Sequence, residues 1–97
     1  MKISPNTSVS ISFVNDKKIR ELNKEYRDKD EVTDVLSFNI DKEDAEGEYY
    51  LGDIVVNVEQ AKRQAGDYGN SVEEEISELV AHGILHLMGI HHEGDDH

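Results

Sequence analysis

Hydrophobic and polar residues alternate along three stretches of the chain. In the clearest one, residues 8–14, serines separate Val9, Ile11 and Phe13. A period of two residues is typical of a β-strand with one face in the core, so these three side chains are expected to be buried. The third stretch is interrupted by Gly52, which is typical of a bulge or of two backbones in close approach. The pattern predicts strands at 8–14, 33–40 and 49–58.

Three other stretches repeat apolar residues at the spacing of an amphipathic helix. They predict helices at about 16–26, at 59–68 and from 72 towards the histidine-rich end of the chain. Asn15 and Asp16 are good N-cap residues for the first helix, and Gly69 is suited to end the second. Ser71 and Glu74 form a capping box that fixes the start of the third. Charged loops are predicted at 27–30 and 41–48. The mixed order of elements predicts an α+β fold, with helices packed on a small mixed β-sheet.

The last predicted helix carries the strongest chemical signal. His82 and His86 are four residues apart, which places both imidazoles on one face of a helix. Gly89 can take the left-handed conformation that ends a helix, so the chain can turn back and bring His92 to the same point. Three nitrogen ligands leave the fourth position of a tetrahedral zinc open, which is the catalytic arrangement. The spacing therefore predicts a metal site at the C-terminal end of this helix.

Alternatives remain open for this site. An isolated pair of histidines on an apolar helix is often only packed or solvated. The third ligand has other candidates near the end of the chain, namely His91, His97, Asp95 and Asp96. Zinc is the expected ion, although three imidazoles also suit nickel, copper or cobalt. Glu75 and Glu78 lie on the same flank of the helix as the histidines. Either carboxylate would orient a metal-binding histidine, or would be solvated and interact favourably with the dipole at the helix N-terminus.

The histidine spacing matches that of the metzincin proteases, H-E-x-x-H-x-x-G-x-x-H, with one difference. The position of the protease glutamate, which acts as general base, is Gly83 here. The pattern therefore favours a metal-dependent hydrolase other than a peptidase.

Composition sets further limits. With 97 residues, the chain is expected to form a single domain over 1–97. It has no cysteine, which excludes disulfides, cysteine zinc ligands and a thiol nucleophile. A signal peptide and a long apolar run are not seen, so we expect a cytoplasmic protein without a membrane partner. The net charge of −12 argues against a general nucleic-acid surface, yet six of the ten basic residues fall within 17–29 and provide an element that can place a phosphate.

Four blocks in the same order resemble YbeY-type endoribonucleases, which are bacterial factors for rRNA maturation and ribosome quality control. The blocks are EYRDKD (25–30), TDVLSF (33–38), LGDI (51–54) and HGILHLMGIHH (82–92), and the resemblance extends from about residue 9 to residue 95. It implies metal-dependent cleavage of single-stranded RNA, in particular rRNA, together with the ribosome. It also implies that His82, His86 and His92 bind a metal, usually zinc, and that Arg27 is a functional residue at the mouth of the site. No DNA partner is expected.

The chain departs from the family pattern at several positions. His91 and Ile90 stand where the family has aspartate and tyrosine, and Val32 and Asn39 replace two prolines. Family members usually carry an extra strand and helix before Val9 and a further helix after the third histidine.

The mechanism that follows uses a metal-activated water to attack the phosphodiester, with Arg27 stabilising the charge that develops on the phosphate. Without the resemblance, Arg27 would be interpreted as a cation at a helix C-terminus. The general base is open between Asp53, Glu78 and a metal-bound hydroxide. A non-catalytic, metal-binding scaffold associated with the ribosome is the leading alternative, and a metalloprotease-like hydrolase is a weaker one.

Overall fold

The computed structural model describes residues 6–89 of the chain, and the predicted ligand His92 lies outside this range. The elements are β1 (Thr7–Val14), α1 (Asp16–Arg27), β2 (Val35–Glu43), β3 (Tyr49–Asn57), α2 (Val58–Tyr68) and α3 (Val72–Leu87). The sheet has the order β1-β3-β2, and the central β3 pairs parallel with β1 and antiparallel with β2. This arrangement confirms the predicted α+β class with a small mixed sheet.

The helices cover the two faces of the sheet in separate layers. Successive residues of a strand face opposite sides, so Val55 and Ile54 belong to different layers. Val55 packs with Leu36 and with Ile19 of α1. Ile54 packs on the other side, in a cluster that includes Ala61 of α2 and Leu79 of α3. The sheet therefore separates α1 from α3, whereas α1 and α2 meet at the end of β3, where the Asp16 N–H donates to Glu59 Oε1.

A buried asparagine joins the two layers at the end of β3. The Asn57 side chain accepts hydrogen bonds from the first backbone N–H groups of α2 and so caps that helix. Its amide nitrogen donates to Asp16 Oδ1 at 2.7 Å and to the Thr33 carbonyl at 3.1 Å. One side chain thus fixes the starts of α1 and α2 and the approach to β2.

The prediction that the first strand buries its apolar face is wrong for two residues. Ile11 is 40% exposed and Phe13 is 58% exposed, whereas Val9 packs against the cluster that contains Ile54. The reason is position, because β1 is an edge strand and α3 packs over β2 and β3. Periodicity identifies the strand correctly but does not tell an edge strand from a central one.

The predicted acidic loop at 41–48 is shorter than expected. β2 continues to Glu43, and the chain turns back within the next few residues. Asp44 shapes the turn, because its carboxylate accepts the N–H groups of Glu46 and Glu48 at 2.9 and 3.0 Å. Gly47, with φ of +80°, provides the left-handed residue. In residues 6–89, no helix is both long and apolar enough to cross a membrane.

Candidate metal centre and the Arg27 site

The helix α3 presents two histidines on successive turns. It begins at the predicted capping box, in which Ser71 accepts the Glu74 N–H at 3.1 Å and the Glu74 carboxylate accepts the Ser71 N–H at 2.9 Å. His82 is exposed, whereas His86 is only 6% exposed. Two imidazoles one turn apart, one facing solvent and one held in the protein, are a suitable pair of donors for a borderline transition metal.

The donor set is incomplete within the described part of the chain. Among residues 6–89, no three histidine, cysteine, aspartate or glutamate side chains come together as a metal-binding group. The third donor assigned from the sequence, His92, lies outside the described residues, as do His91, His97, Asp95 and Asp96. The metal site therefore stays a prediction. His82 and His86 are compatible with it but provide only two of its three ligands.

Gly83 explains how α3 is seated. It is buried against the sheet, and an added Cβ would lie 2.9 Å from Ile54 Cγ2. Since Gly83 packs directly on Ile54, this position has no room for a side chain as large as glutamate. The absence of the protease base thus has a packing reason, and the geometry disfavours the metalloprotease alternative.

The end of α3 is held by a residue to which the sequence assigns no role in the site. The Asn39 side chain, on β2, donates from Nδ2 to the Leu87 carbonyl at 2.8 Å. The last carbonyls of a helix have no partner within the helix, so this bond satisfies one of them. Gly89 then takes the predicted left-handed conformation, with φ of +80°, and donates its N–H to the His86 carbonyl at 3.0 Å. In the sequence, Asn39 differs from the family pattern only as the replacement of a proline, which does not indicate this contact.

Gly52 brings two backbones close together, as the sequence predicts. It pairs with Asn39 in the β2–β3 ladder. An added Cβ would collide with the Phe38 carbonyl oxygen and would lie 3.0 Å from Leu87 Cδ2. The missing side chain therefore makes room for the C-terminal turn of α3 on the sheet.

Arg27 is the last residue of α1, not a loop residue as predicted. Its Nη2 donates to the Ser37 carbonyl at 2.6 Å, and its guanidinium carbon lies 5.4 Å from the centre of the Phe38 ring, a cation–π contact. Tyr26 meets the same ring edge-on at 5.4 Å. Arg27 is thus fixed on the edge strand β2, in the layer opposite the one that contains α3.

The two candidate general bases, Asp53 and Glu78, lie on opposite sides of the sheet. Asp53 accepts a hydrogen bond from the Tyr50 hydroxyl, which raises the pKa of that tyrosine. It lines a groove of about 270 Å³ on the α1 face of the sheet, away from the histidines. Glu78 is exposed on α3, one turn before His82. Of the three sequence candidates for the general base, Asp53 is therefore poorly placed to serve the α3 site.

Glu75 has a structural role. It is 3% exposed, and its carboxylate accepts from Gln64 Nε2 at 2.9 Å and from Asn70 Nδ2 at 3.3 Å. These bonds link the first turn of α3 to α2 and to the connection between the two helices. The carboxylate is therefore engaged two turns before His82, which leaves Glu78 as the acidic residue available on the histidine flank.

Comparison with known proteins gives one consistent family. The family model described as Endoribonuclease YbeY matches residues 1–97. A relative named Endoribonuclease YbeY from Aquifex aeolicus is 49% identical over 88 residues, and one from Desulforamulus reducens is 48% identical over 94 residues. These matches cover 91% and 92% of this chain but only 58% and 61% of the relatives, so the chain spans about three fifths of their length.

A solved structure shows the same fold. The solution structure of TM1509 from Thermotoga maritima superposes with a TM-score of 0.60 at 39% sequence identity. The match covers 91% of this chain and 55% of that chain.

Proposed function

The chain belongs to the endoribonuclease YbeY family, and on this basis we propose that it is a zinc-dependent, single-strand-specific endoribonuclease acting in rRNA maturation and ribosome quality control. The observation that carries the proposal is the pair His82 and His86 on α3, a helix seated on the sheet through Gly83 and ended by a left-handed Gly89. In this proposal the protein works in the cytoplasm, with single-stranded rRNA and the ribosome as partners.

In this proposal the three histidines bind the metal and Arg27 binds the RNA phosphate. His82, His86 and His92 would hold the ion through neutral imidazole nitrogens, with other divalent transition metals as substitutes. When bound, zinc supplies a water of lowered pKa and polarises a phosphoryl oxygen. Arg27 lies in the layer opposite α3, so in this proposal the RNA strand passes over the edge strand β2 to reach it. Because Nη2 contacts Ser37 and Nε is buried, Nη1 binds a phosphate, and the charge of Arg27 stabilises the developing negative charge.

The test is cleavage of a labelled single-stranded RNA by the purified protein, with a double-stranded RNA and a single-stranded DNA of the same sequence as comparisons. We expect cleavage of the single-stranded RNA alone, loss of cleavage with a chelator, and recovery with added zinc. Arg27→Ala should lower kcat/KM by roughly 10²–10³-fold, the usual cost of removing one group that stabilises transition-state charge. Arg20→Ala is the matched control, because Arg20 lies on the same helix and pairs with exposed Asp30 at 2.7 Å.

Two results would contradict the proposal. Cleavage that persists in His82→Ala or His86→Ala would point to a contaminating nuclease. Equal losses in the Arg27 and Arg20 variants would show that Arg27 has no special role.

A metal-binding scaffold of the ribosome is the second candidate. The net charge of −12 and the histidine at position 91, where the family has aspartate, favour it. It predicts zinc binding and co-sedimentation with ribosomes in a protein that leaves every RNA intact. A casein digest tests the metalloprotease alternative, for which we expect no cleavage because Gly83 faces the core.

A further inference from the structure

A small cavity lies beside Arg27, between the end of α1 and the segment that leads into β2. Its volume is about 80 Å³, and Asn23 and Arg27, one helical turn apart, both line it. Asn23 is 3% exposed. Among residues 6–89, Asn23 Oδ1 and Arg27 Nε are buried without a hydrogen-bond partner. Buried polar atoms are normally paired with protein or with ordered water, so these two atoms require an explanation.

The orientation of Asn23 is fixed by its other bonds. Its Nδ2 donates to the Glu31 carbonyl at 3.1 Å, which only the amide nitrogen can do. Its backbone carbonyl accepts the N–H of Asp28 and, at 3.2 Å, that of Lys29. The oxygen is therefore the atom that remains to accept a bond, while Arg27 Nε can only donate one.

These two atoms select the kind of occupant. A metal ion would meet the Nε–H donor of Arg27, and an anion would meet the amide oxygen of Asn23, so both are disfavoured. A water molecule can accept from one atom and donate to the other. It needs only about 10–15 Å³ of such space, which the cavity exceeds.

We propose that the cavity binds water that bridges Arg27 Nε to Asn23 Oδ1, and that Asn23 is in this way a positioning residue for Arg27. The guanidinium is then held at both ends, through Nη2 on the Ser37 carbonyl and through Nε on the bridge. Its remaining edge is presented in one orientation. The bridge itself is independent of the proposed function, and only its effect on catalysis rests on that function.

The bridge can be observed by NMR. The chain has three arginines, Arg20, Arg27 and Arg63, so its spectrum contains three Nε–H signals, and Arg27→Lys identifies the relevant one. We expect the Arg27 signal to show a cross-peak to a long-lived water. In Asn23→Leu the cross-peak should disappear, and Hε should exchange with solvent at least about tenfold faster.

Two further variants separate the bridge from general effects on folding. Asn23→Asp removes the donor to Glu31 but keeps an oxygen acceptor, so the water cross-peak should remain. Asn70→Ala removes a different asparagine bond, to Glu75, and should leave the Arg27 signal unchanged. The proposal is overturned if the parent shows no water cross-peak, or if Asn23→Asp loses it as Asn23→Leu does.

The catalytic consequence has its own measurement. Asn23→Leu should lower kcat on single-stranded RNA on the order of tenfold, because a misplaced catalytic group costs rate. Asn23→Asp should recover most of that loss. If the parent protein cleaves no RNA, the proposed function fails and the NMR result still decides the bridge. If the parent cleaves RNA and Asn23→Leu is equally active, Asn23 does not position Arg27.

Discussion

Replacement of Gly83 by alanine tests how the helix that carries the histidines is seated. The new Cβ would lie 2.9 Å from Ile54 Cγ2 and 3.2 Å from both Cγ1 and Cδ1. Ile54 is fully buried, and Cγ2 is bonded to its Cβ, so the side chain cannot swing away without leaving its rotamer. The helix or the strand must therefore shift.

The magnitude follows from two opposing effects. Overpacking of a core contact costs about 1–3 kcal/mol. Alanine gains about 1 kcal/mol over glycine inside a helix. The net expectation for Gly83→Ala is a destabilisation of roughly 0–2 kcal/mol, the sum of these two effects.

Gly66→Ala is the matched control, because Gly66 lies in α2 and an added Cβ there would have no neighbour within 4 Å. It should stabilise the protein by about 0.5–1 kcal/mol. The difference between the two alanine variants isolates the overpacking cost, about 1–3 kcal/mol. Urea unfolding followed by circular dichroism is suitable, since the chain has no tryptophan. Equal stability of the two variants would refute the packing role assigned to Gly83.

Two other predictions follow from single contacts. Asn39→Ala should destabilise the protein by about 0.5–1 kcal/mol through loss of the bond to the Leu87 carbonyl. Amide hydrogen exchange in the last turn of α3 should also become faster. Lys42→Ala, at an exposed position of the same strand, should change neither quantity. Undisturbed exchange in Asn39→Ala would count against this anchor. The hydrogen bonds of Arg63, followed by that of Asn57, lower the pKa of Asp16 from its usual 3.8. This carboxylate therefore stabilises the fold above its unfolded pKa, and that contribution is lost as the pH falls through the lowered folded pKa. Arg63→Ala should move the NMR titration midpoint of Asp16 upwards. The variant should be less stable than the parent near neutral pH, and this difference should shrink as the pH falls below about 4. An unchanged midpoint would contradict the assignment.

The sequence predicts elements well where one local rule acts alone. The capping box at Ser71 and the stop at Gly69 were read correctly, because a cap depends on a few neighbouring residues. The exposure of Ile11 and Phe13 was missed, because alternation gives a strand its two faces but not its place in the sheet. The extra residues at the end of β2 were missed because their charges favoured a loop.

In the candidate site, too, local features follow from the sequence and contacts between distant residues do not. The spacing of His82 and His86 on one helix follows from the sequence and holds in the structure. The role of Asn39 depends on a contact 48 residues away along the chain, which no local pattern encodes. The unpaired Nε of Arg27 is likewise visible only once α1 and the segment before β2 are folded together.

The proposed three-histidine site is tested by the metal content of the purified protein, measured by mass spectrometry after dialysis with zinc. The parent is compared with His82→Ala, His86→Ala and His92→Ala. We expect close to one zinc per parent chain and a marked loss in each variant, while His97→Ala keeps its metal. A folded parent that retains no zinc, or a His92→Ala variant that binds zinc as tightly as the parent, would contradict it.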